Sequence, residues 1–440
     1  MDLLKNLNDK QKEAVEHIDG PCLVLAGAGS GKTKVLTTRI AYLIENGVNP
    51  YNILAITFTN KAAKEMRERL NVIIPNNNTF VGTFHSLGVR ILRENASLLG
   101  LDNNFTIVDS EDVTSIIRKV LKEFGLDPKV NSPAYIRNRI SFIKNEMLDS
   151  GEISKFFNTP PEKIAERVYY EYQDILRKNN SVDFDDLLAL PVKLFIENPD
   201  ILEKYQERFK YILIDEYQDT NEVQYKLCKM LARKYQNIFI VGDPDQSIYM
   251  FRGANYRNIL NFEKDYKNAH VIPLEENYRS TEYILDAANS VIKHNKERKD
   301  KNLWSSNGKG VKTKYLRAYD DKHELTLVID EVKKLLNEGF DKKSIGILYR
   351  TNAQARLVEE QFIKASIPYK VVGSYYFYAR KEIKDLICYL KLILNNNDEI
   401  SLRRVINVPK RGIGDSTIKK LEETAIDCGI SMFESISQGK

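Results

Sequence analysis

The chain has 440 residues, with 66 Lys and Arg against 61 Asp and Glu, a net charge of +5. That near-balance excludes a histone-like polycation and an acidic disordered tail, and 42% hydrophobic residues are ample for globular cores. At roughly 150 residues per domain, the length predicts about three domains. The four cysteines, Cys22, Cys228, Cys388 and Cys428, are too far apart for a CxxC pair, so a zinc knuckle and a redox dithiol are excluded and a reduced intracellular setting is expected. The start, MDLLKNLNDKQKEAVEH, carries charges where a signal peptide needs an apolar stretch. No run approaches the roughly 18 to 20 apolar residues of a membrane span, so a soluble cytoplasmic protein is expected, with no membrane contact.

In chain order, CLVLA (22–26) and ILAITF (53–58) read as buried strands, and 32–45 and 61–70 as helices, the alternation of a parallel sheet wrapped by helices. From about Ser110 to Leu190 amphipathic patterns such as DVTSIIRKVLKEF and EKIAERVYYEYQDILRK take over, which predicts a helical insertion. Strands return as YILI (211–214), IFIV (238–241) and VIPL (271–274), so the first sheet resumes. A further βα pattern starts near Lys312, with GILY (346–349) and YKVV (369–372) as expected strands, and helical text, EIKDLICYLKLIL, follows Lys381. The run KHNKERKDKN from Lys293 mixes both signs of charge and reads as a solvated face.

AGAGSGKT, comprising Ala26, Gly27, Ala28, Gly29, Ser30, Gly31, Lys32 and Thr33, matches the phosphate-binding loop GxxxxGKT and lies between a strand and a helix, as that motif requires. Its glycines let backbone N–H groups curl around phosphates, Lys32 brings charge to the β and γ oxygens, and the Thr33 hydroxyl suits magnesium at the helix N-terminus. Asp215 and Glu216 follow the strand YILI directly. The first is placed to reach magnesium through water and the second to polarise an attacking water as general base. Gln246, at the end of VGDPDQ, is placed to sense a γ-phosphate. In Asn277-Tyr278-Arg279 a flat ring suited to stacking adjoins a cation suited to charge on a transferred phosphoryl group.

The ordered set AGAGSGKT, TFTNKAAKEM, GTFHS, DEYQDT, VGDPDQSIY and NYRS resembles the superfamily 1 DNA helicases of the PcrA/UvrD/Rep type, and the similarity runs from LNDKQKEAV at Leu7 to the last residues. The resemblance implies ATP and Mg²⁺ as cofactors, adenine contact by Gln11 and stacking by Tyr278, hydrolysis driven by Asp215 and Glu216, and coupling of the γ-phosphate to domain closure by Gln246 and Arg279. It also implies a single-stranded DNA track, for which Phe58, His85, Phe184, Tyr249 and Phe251 are the candidate stacking side chains and Asn60, Arg252, Arg350 and Asn352 the polar partners. Judged in isolation, Phe184 reads as core packing. NVPKRGIGDSTIKKLEETA resembles the family's helix-hairpin-helix-like duplex contact, with Lys410, Arg411, Gly412 and Gly414 near a DNA phosphate; the alternative is a plain helix start capped by Asp415 or Ser416.

Two departures from the family pattern stand out. Phe251 replaces the usual Trp of SIYxWRGA, and Lys34 replaces the usual Arg of GKTR, whose guanidinium packs on adenine as an ammonium cannot.

The implied architecture is α/β: a RecA-like phosphate-loop motor domain 1A (1–108 and 185–278) interrupted by helical 1B (109–184), the first part of a second RecA-like domain 2A (279–379), and the start of helical 2B (380–440). The implied activity is an ATP-dependent 3′ to 5′ helicase and single-strand translocase, a monomer acting at single-strand/duplex junctions in DNA repair or replication alongside other proteins of those pathways. TVHxxKGLE-like and QERRLxYVAxTRA-like segments, the second of which carries another arginine, occur nowhere in these residues. The expectation is a chain that binds ATP and single-stranded DNA, hydrolyses slowly and does not unwind duplex. Two alternatives stay open: an ATP-gated DNA-binding module, and another phosphate-loop NTPase such as a nucleotide kinase or transporter ATPase.

Overall fold

The computed structural model describes residues 2–296, 298–299, 301–372 and 381–437, without the side chains of Arg252, Asn352, Asp415 and Ser437. Two compact units are present, Lys312–Ile387 and the remainder.

The larger unit contains eight strands: β1 (Cys22–Ala26), β2 (Ile53–Thr57), β3 (Phe80–Thr83), β4 (Thr106–Ile107), β5 (Ser181–Val182), β6 (Tyr211–Ile214), β7 (Ile238–Gly242) and β8 (His270–Leu274). Six of them form one sheet in the order β3-β2-β6-β7-β1-β8, every pairing parallel. A parallel sheet is covered on both faces, which is why β1, β2 and β7 are apolar at nearly every position instead of alternating with polar residues. The period of two still sorts their side chains. Leu23, Leu25, Leu54, Ile56, Ile212 and Ile214 point into one core, and Cys22, Val24, Ala26, Ile53, Ala55 and Leu213 into the other. The sequence reading missed β3, whose FVGT is short and interrupted by a glycine, and the two-residue β4 and β5.

This strand order puts β6, β7 and β1 side by side, so the segments leaving their C-terminal ends share one edge of the sheet. Those segments are the phosphate loop after β1, Asp215-Glu216 after β6 and Asp243–Gln246 after β7. Ligand sites of open α/β sheets form at such an edge.

Helices Ser110–Glu123, Pro133–Glu146, Ser150–Phe156 and Pro160–Lys178 lie between β4 and β5 and enclose a core of their own around Ile117, Ile140 and Tyr172. Residues 388–437 add a smaller core around Leu402, Val405 and Met432. This segment is tied to the base of the helical insertion. Buried Asn395 Nδ2 lies 3.2–3.3 Å from Thr106 Oγ1 and the Asn179 and Asn180 carbonyls, and Lys391 Nζ donates to the Ile107 carbonyl at 3.1 Å.

In the smaller unit, helices Asp321–Asn337 and Asn352–Lys364 pack through Ile329, Val332 and Phe362. GILY and YKVV are not strands here, contrary to expectation. A β-rich run becomes a strand only with a neighbour to pair its backbone, and among the described residues none is present; Leu348 is 99% exposed.

Candidate nucleotide and DNA site

The phosphate loop turns sharply from β1 into the helix Lys32–Glu45, with Gly29 at φ +67° and Gly31 at φ +86°, backbone conformations that side chains resist. Space is also limiting. A Cβ on Gly29 would lie 2.7 Å from Asn277 Nδ2 and 2.8 Å from Arg279 Cβ, and one on Gly27 would strike Leu303. The loop is thus lined by Asn277–Arg279, as the motif order implied, and by Leu303, which sequence reading did not single out. Asn277 Nδ2 donates to the Ala28 carbonyl at 2.5 Å and Tyr278 N to the Gly29 carbonyl at 3.0 Å.

Lys32 Nζ lies 3.1 Å from Glu216 Oε2. Glu216 adopts φ +51°, unusual for a residue with a Cβ, and this turns its carboxylate toward the loop. Gln218 Nε2 donates to Glu216 Oε2 at 2.8 Å, while Gln218 Oε1 accepts from Asp243 N at 2.9 Å. Gln246 Nε2 donates to Asp243 Oδ2 at 2.6 Å. One hydrogen-bonded chain therefore joins the loop lysine to Gln246 across three strand ends, with Gln218 and Asp243 as its unforeseen links.

Burial, and then the neighbouring Glu216, push the Asp215 carboxyl up to about 7, while Lys32 pulls the other way. The same two causes raise Asp219 to about 6, and its buried Oδ1 has no hydrogen-bond partner. Carboxyls 215, 216 and 219 thus crowd around a single lysine, a site short of positive charge. Among the described residues no group of three His, Cys, Asp or Glu side chains is arranged to hold a metal unaided. The donors present, the Thr33 hydroxyl and Asp215, fit a hard cation that takes its remaining oxygens from phosphate and water.

Gln11 is buried. Its Nε2 donates to the Ser30 carbonyl of the loop at 2.9 Å, and its Oε1 accepts from Asn8 N at 3.2 Å, closing the capping box of its own helix. Tyr278 stands beside it, half exposed, its hydroxyl donating to Glu276 at 2.6 Å and accepting from Asn8 at 2.7 Å. Lys34 is exposed and donates to the Asn6 carbonyl.

Thr33, Asp215, Glu216 and Gln246 line an open cleft of about 320 Å³ together with Phe58 and Tyr249. Their ring centroids are 5.1 Å apart, and Phe251, 73% exposed, follows 6.1 Å beyond Tyr249. His85 and Phe184 form a second, edge-on pair at 5.8 Å. Phe184 is 54% exposed and is not the core residue it resembles in isolation. The cause is local: Lys144, buried, holds Asp183 at 2.6 Å and Asp186 at 2.8 Å, and this anchor leaves the ring between them facing outward. Asn60 is exposed at the first turn of its helix.

Residues 7–267 match the UvrD/REP helicase N-terminal domain and 272–440 the UvrD-like helicase C-terminal domain. The chain belongs to the UvrD/REP helicase family. It is 50% identical over 439 residues to the ATP-dependent DNA helicase PcrA of Staphylococcus epidermidis RP62A, a match covering 99% of this chain and 60% of that protein. It is 49% identical over 439 residues to PcrA of Staphylococcus aureus Mu50, again over 99% and 60%. The chain thus spans about 60% of the length of these relatives.

Other residues carried over from the family pattern are placed less tellingly. Arg350 is exposed in the smaller unit, and the side chains of Arg252 and Asn352 lie outside the described residues. Gly412 has φ +73° and Lys410 and Arg411 are both exposed; Arg411 Nη1 donates to the Val405 and Ile406 carbonyls at 2.8 and 2.9 Å. Its guanidinium closes a helix C-terminus, where unsatisfied carbonyls attract cations. The following helix, Asp415–Cys428, has Gly414 at its N-cap, not Asp415 or Ser416.

The run from Lys293 is exposed over residues 293–296, as expected of a solvated face, but Arg298 and Lys301 turn to acidic partners. Arg298 Nη2 lies 3.0 Å from Asp245 Oδ2, and Lys301 Nζ contacts Asp243 and lies 3.1 Å from Asp245, the two side chains being only 9% and 6% exposed. Their partners stand more than fifty residues back in sequence, so local composition does not reveal them. Burial, and then the charge of Lys32, push the Lys301 ammonium down to about 7. The two carboxylates in contact with it favour the charged form.

Proposed function

We propose that this chain is an ATP-hydrolysing motor on single-stranded DNA, of the kind the relatives' name, ATP-dependent DNA helicase, describes. The observation that carries the proposal is the shared cleft: Thr33, Asp215, Glu216 and Gln246 line it together with the Phe58 and Tyr249 rings. A change of phosphate charge there falls in the same cleft as the rings proposed to grip DNA.

Lys32 and the loop N–H groups hold the β and γ phosphates, and Thr33 with Asp215 holds Mg²⁺. The cation, when bound, neutralises charge on the phosphate oxygens. Engagement of Lys32 by phosphate releases Glu216, which then accepts the proton of the attacking water. Arg279 stabilises charge on the transferred group, and Gln246, held by Asp243, reports the γ-phosphate. Tyr278 and Gln11 flank the adenine. Phe58, Tyr249, Phe251, His85 and Phe184 stack bases, which requires no large net charge, in keeping with +5.

The full reading is 3′ to 5′ translocation by a cytoplasmic monomer at junctions in repair or replication, with domain limits as given from sequence. These residues offer Arg279 but no second arginine in a family motif, and such a finger is worth about 10³ to 10⁵ in rate. Slow hydrolysis and no strand separation by the 440-residue chain are therefore expected. ATP turnover measured with and without oligo-dT tests the reading: stimulation supports it, and turnover indifferent to DNA favours an unrelated phosphate-loop enzyme.

A further inference from the structure

The nucleotide chemistry proposed above assigns no work to residues 298, 299 and 301–304, yet they lie against it. Trp304 N donates to the Glu275 carbonyl at 3.1 Å, Asn277 N donates to the Trp304 carbonyl at 2.8 Å, and Leu303 covers Gly27. The segment is therefore tied by backbone to the strand end that carries Tyr278 and Arg279. Its other contact runs through charge. Lys301 Nζ meets Asp243 Oδ1, while the other oxygen of that carboxylate, Oδ2, accepts from Gln246 Nε2 at 2.6 Å. Asp245 N also donates to Asp243 Oδ1, at 3.0 Å, and Arg298 pairs with Asp245. Asp243 is thus a node with its backbone N–H on Gln218, one oxygen on Gln246 and the other on Lys301.

We propose that Lys301 is a positioning residue for triphosphate sensing: by holding Asp243 ionised and in one rotamer, it fixes the Gln246 amide and links it to the segment that carries Arg279. An ionised acceptor makes a shorter and stronger hydrogen bond than a neutral one, so the hold on Gln246 depends on the charge of Asp243. That charge is buried and needs a partner, and Lys301 is the cation in direct contact with it. Arg298 reinforces the arrangement from Asp245 without touching the node. Sensor and phosphoryl-stabilising arginine, which sit on different strands, are thereby set in a common frame.

The inference rests on the nucleotide reading above, and the experiment separates the two. Fluorescent mant-AMPPNP and mant-ADP, each with Mg²⁺, are titrated into the 440-residue chain and into Lys301→Met, Lys301→Arg, Asp243→Asn and the Lys301→Met/Asp243→Asn double variant. Lys301→Met is expected to cut the preference for the triphosphate about tenfold while ADP affinity stays within about twofold, the loss typical of one charged hydrogen bond. The kcat for ATP with oligo-dT falls by a similar factor and KM moves less. Lys301→Arg restores most of both, and in the double variant Lys301→Met adds little to Asp243→Asn, the mark of a shared pathway. Should Lys301→Met not fold, Asp243→Asn alone must show the same selective loss. The inference is overturned if triphosphate preference survives these changes, if both nucleotides weaken together, or if Lys301→Arg is no better than Met. Failure of the unsubstituted chain to bind either nucleotide overturns the nucleotide reading itself, and this inference with it.

Discussion

Replacing Asp215 with Asn is expected to stabilise the protein when no divalent cation is present. Burial and Glu216 raise the Asp215 carboxyl to about 7, against about 3.9 in an unfolded chain. A gap of about three pH units at 1.36 kcal/mol each sets an upper bound near 4 kcal/mol on the cost of folding with this group ionised. Because the carboxyl lines an open cleft, roughly half of that, about 2 kcal/mol, is the working figure. The sign follows from the direction. A carboxyl raised on folding penalises the native state fully above its folded value, and the penalty fades as pH falls through 7 toward 4. Asn keeps the acceptor that receives the Glu216 N–H, at 3.0 Å, without the charge. By calorimetry in EDTA at pH 8, Asp215→Asn should melt about 4 to 8 °C higher, taking about 2 to 4 °C per kcal/mol for a unit of this size; the difference should shrink to about a third of that near pH 5 and vanish below about pH 4. Mg²⁺ with a triphosphate should reverse the order, since only the carboxylate gains from the cation. A variant melting at or below the unsubstituted chain at pH 8, or a difference unchanged at pH 5, would refute the reasoning.

Phe251→Ala should weaken oligo-dT binding by about 1 to 3 kcal/mol in fluorescence anisotropy, and Phe251→Trp should strengthen it; equal affinity for Ala removes this ring from the DNA track. Lys34→Arg should gain about 0.5 to 1 kcal/mol in ATP affinity through stacking, and no gain dismisses the idea that Lys34 weakens adenine contact. Lys32→Ala should lower mant-AMPPNP affinity by about 1.5 to 3 kcal/mol, with the AMP analogue far less affected. Asn395→Ala should cost about 0.5 to 1.5 kcal/mol and speed proteolysis within 388–437, because the amide that ties this segment to Thr106, Asn179 and Asn180 is lost; cleavage at the unsubstituted rate would show that the docking does not depend on it.

The parallel sheet was legible because its strands are short apolar runs bounded by turns, and the phosphate loop and acidic pair because the chemistry constrains their spacing. Legibility failed where structure depends on distant partners. GILY carries a strand's composition, but composition does not supply a neighbour. Arg298 and Lys301 look solvated until Asp243 and Asp245 are brought beside them, and Phe184 looks like core until Lys144 pins its flanking aspartates. Arg411, a basic residue in a DNA-like motif, also has backbone partners that the motif does not reveal, the Val405 and Ile406 carbonyls. Gln218 and Asp219 stood inside a recognised motif, and only their geometry reveals a bridge and an orphaned carboxylate oxygen.

The placement of β1 also bears on how the protein is made. The strand that launches the phosphate loop is synthesised long before its sheet partners β7 and β8, with Cys22 opposite Phe239 and His270. Until β7 and β8 have been synthesised, β1 has neither neighbour, and its apolar run CLVLA must wait unpaired. The helical insertion, whose core is local, is free to fold during that wait. ATP therefore cannot rescue an early nascent chain, and chaperone dependence should fall sharply once residue 274 has emerged.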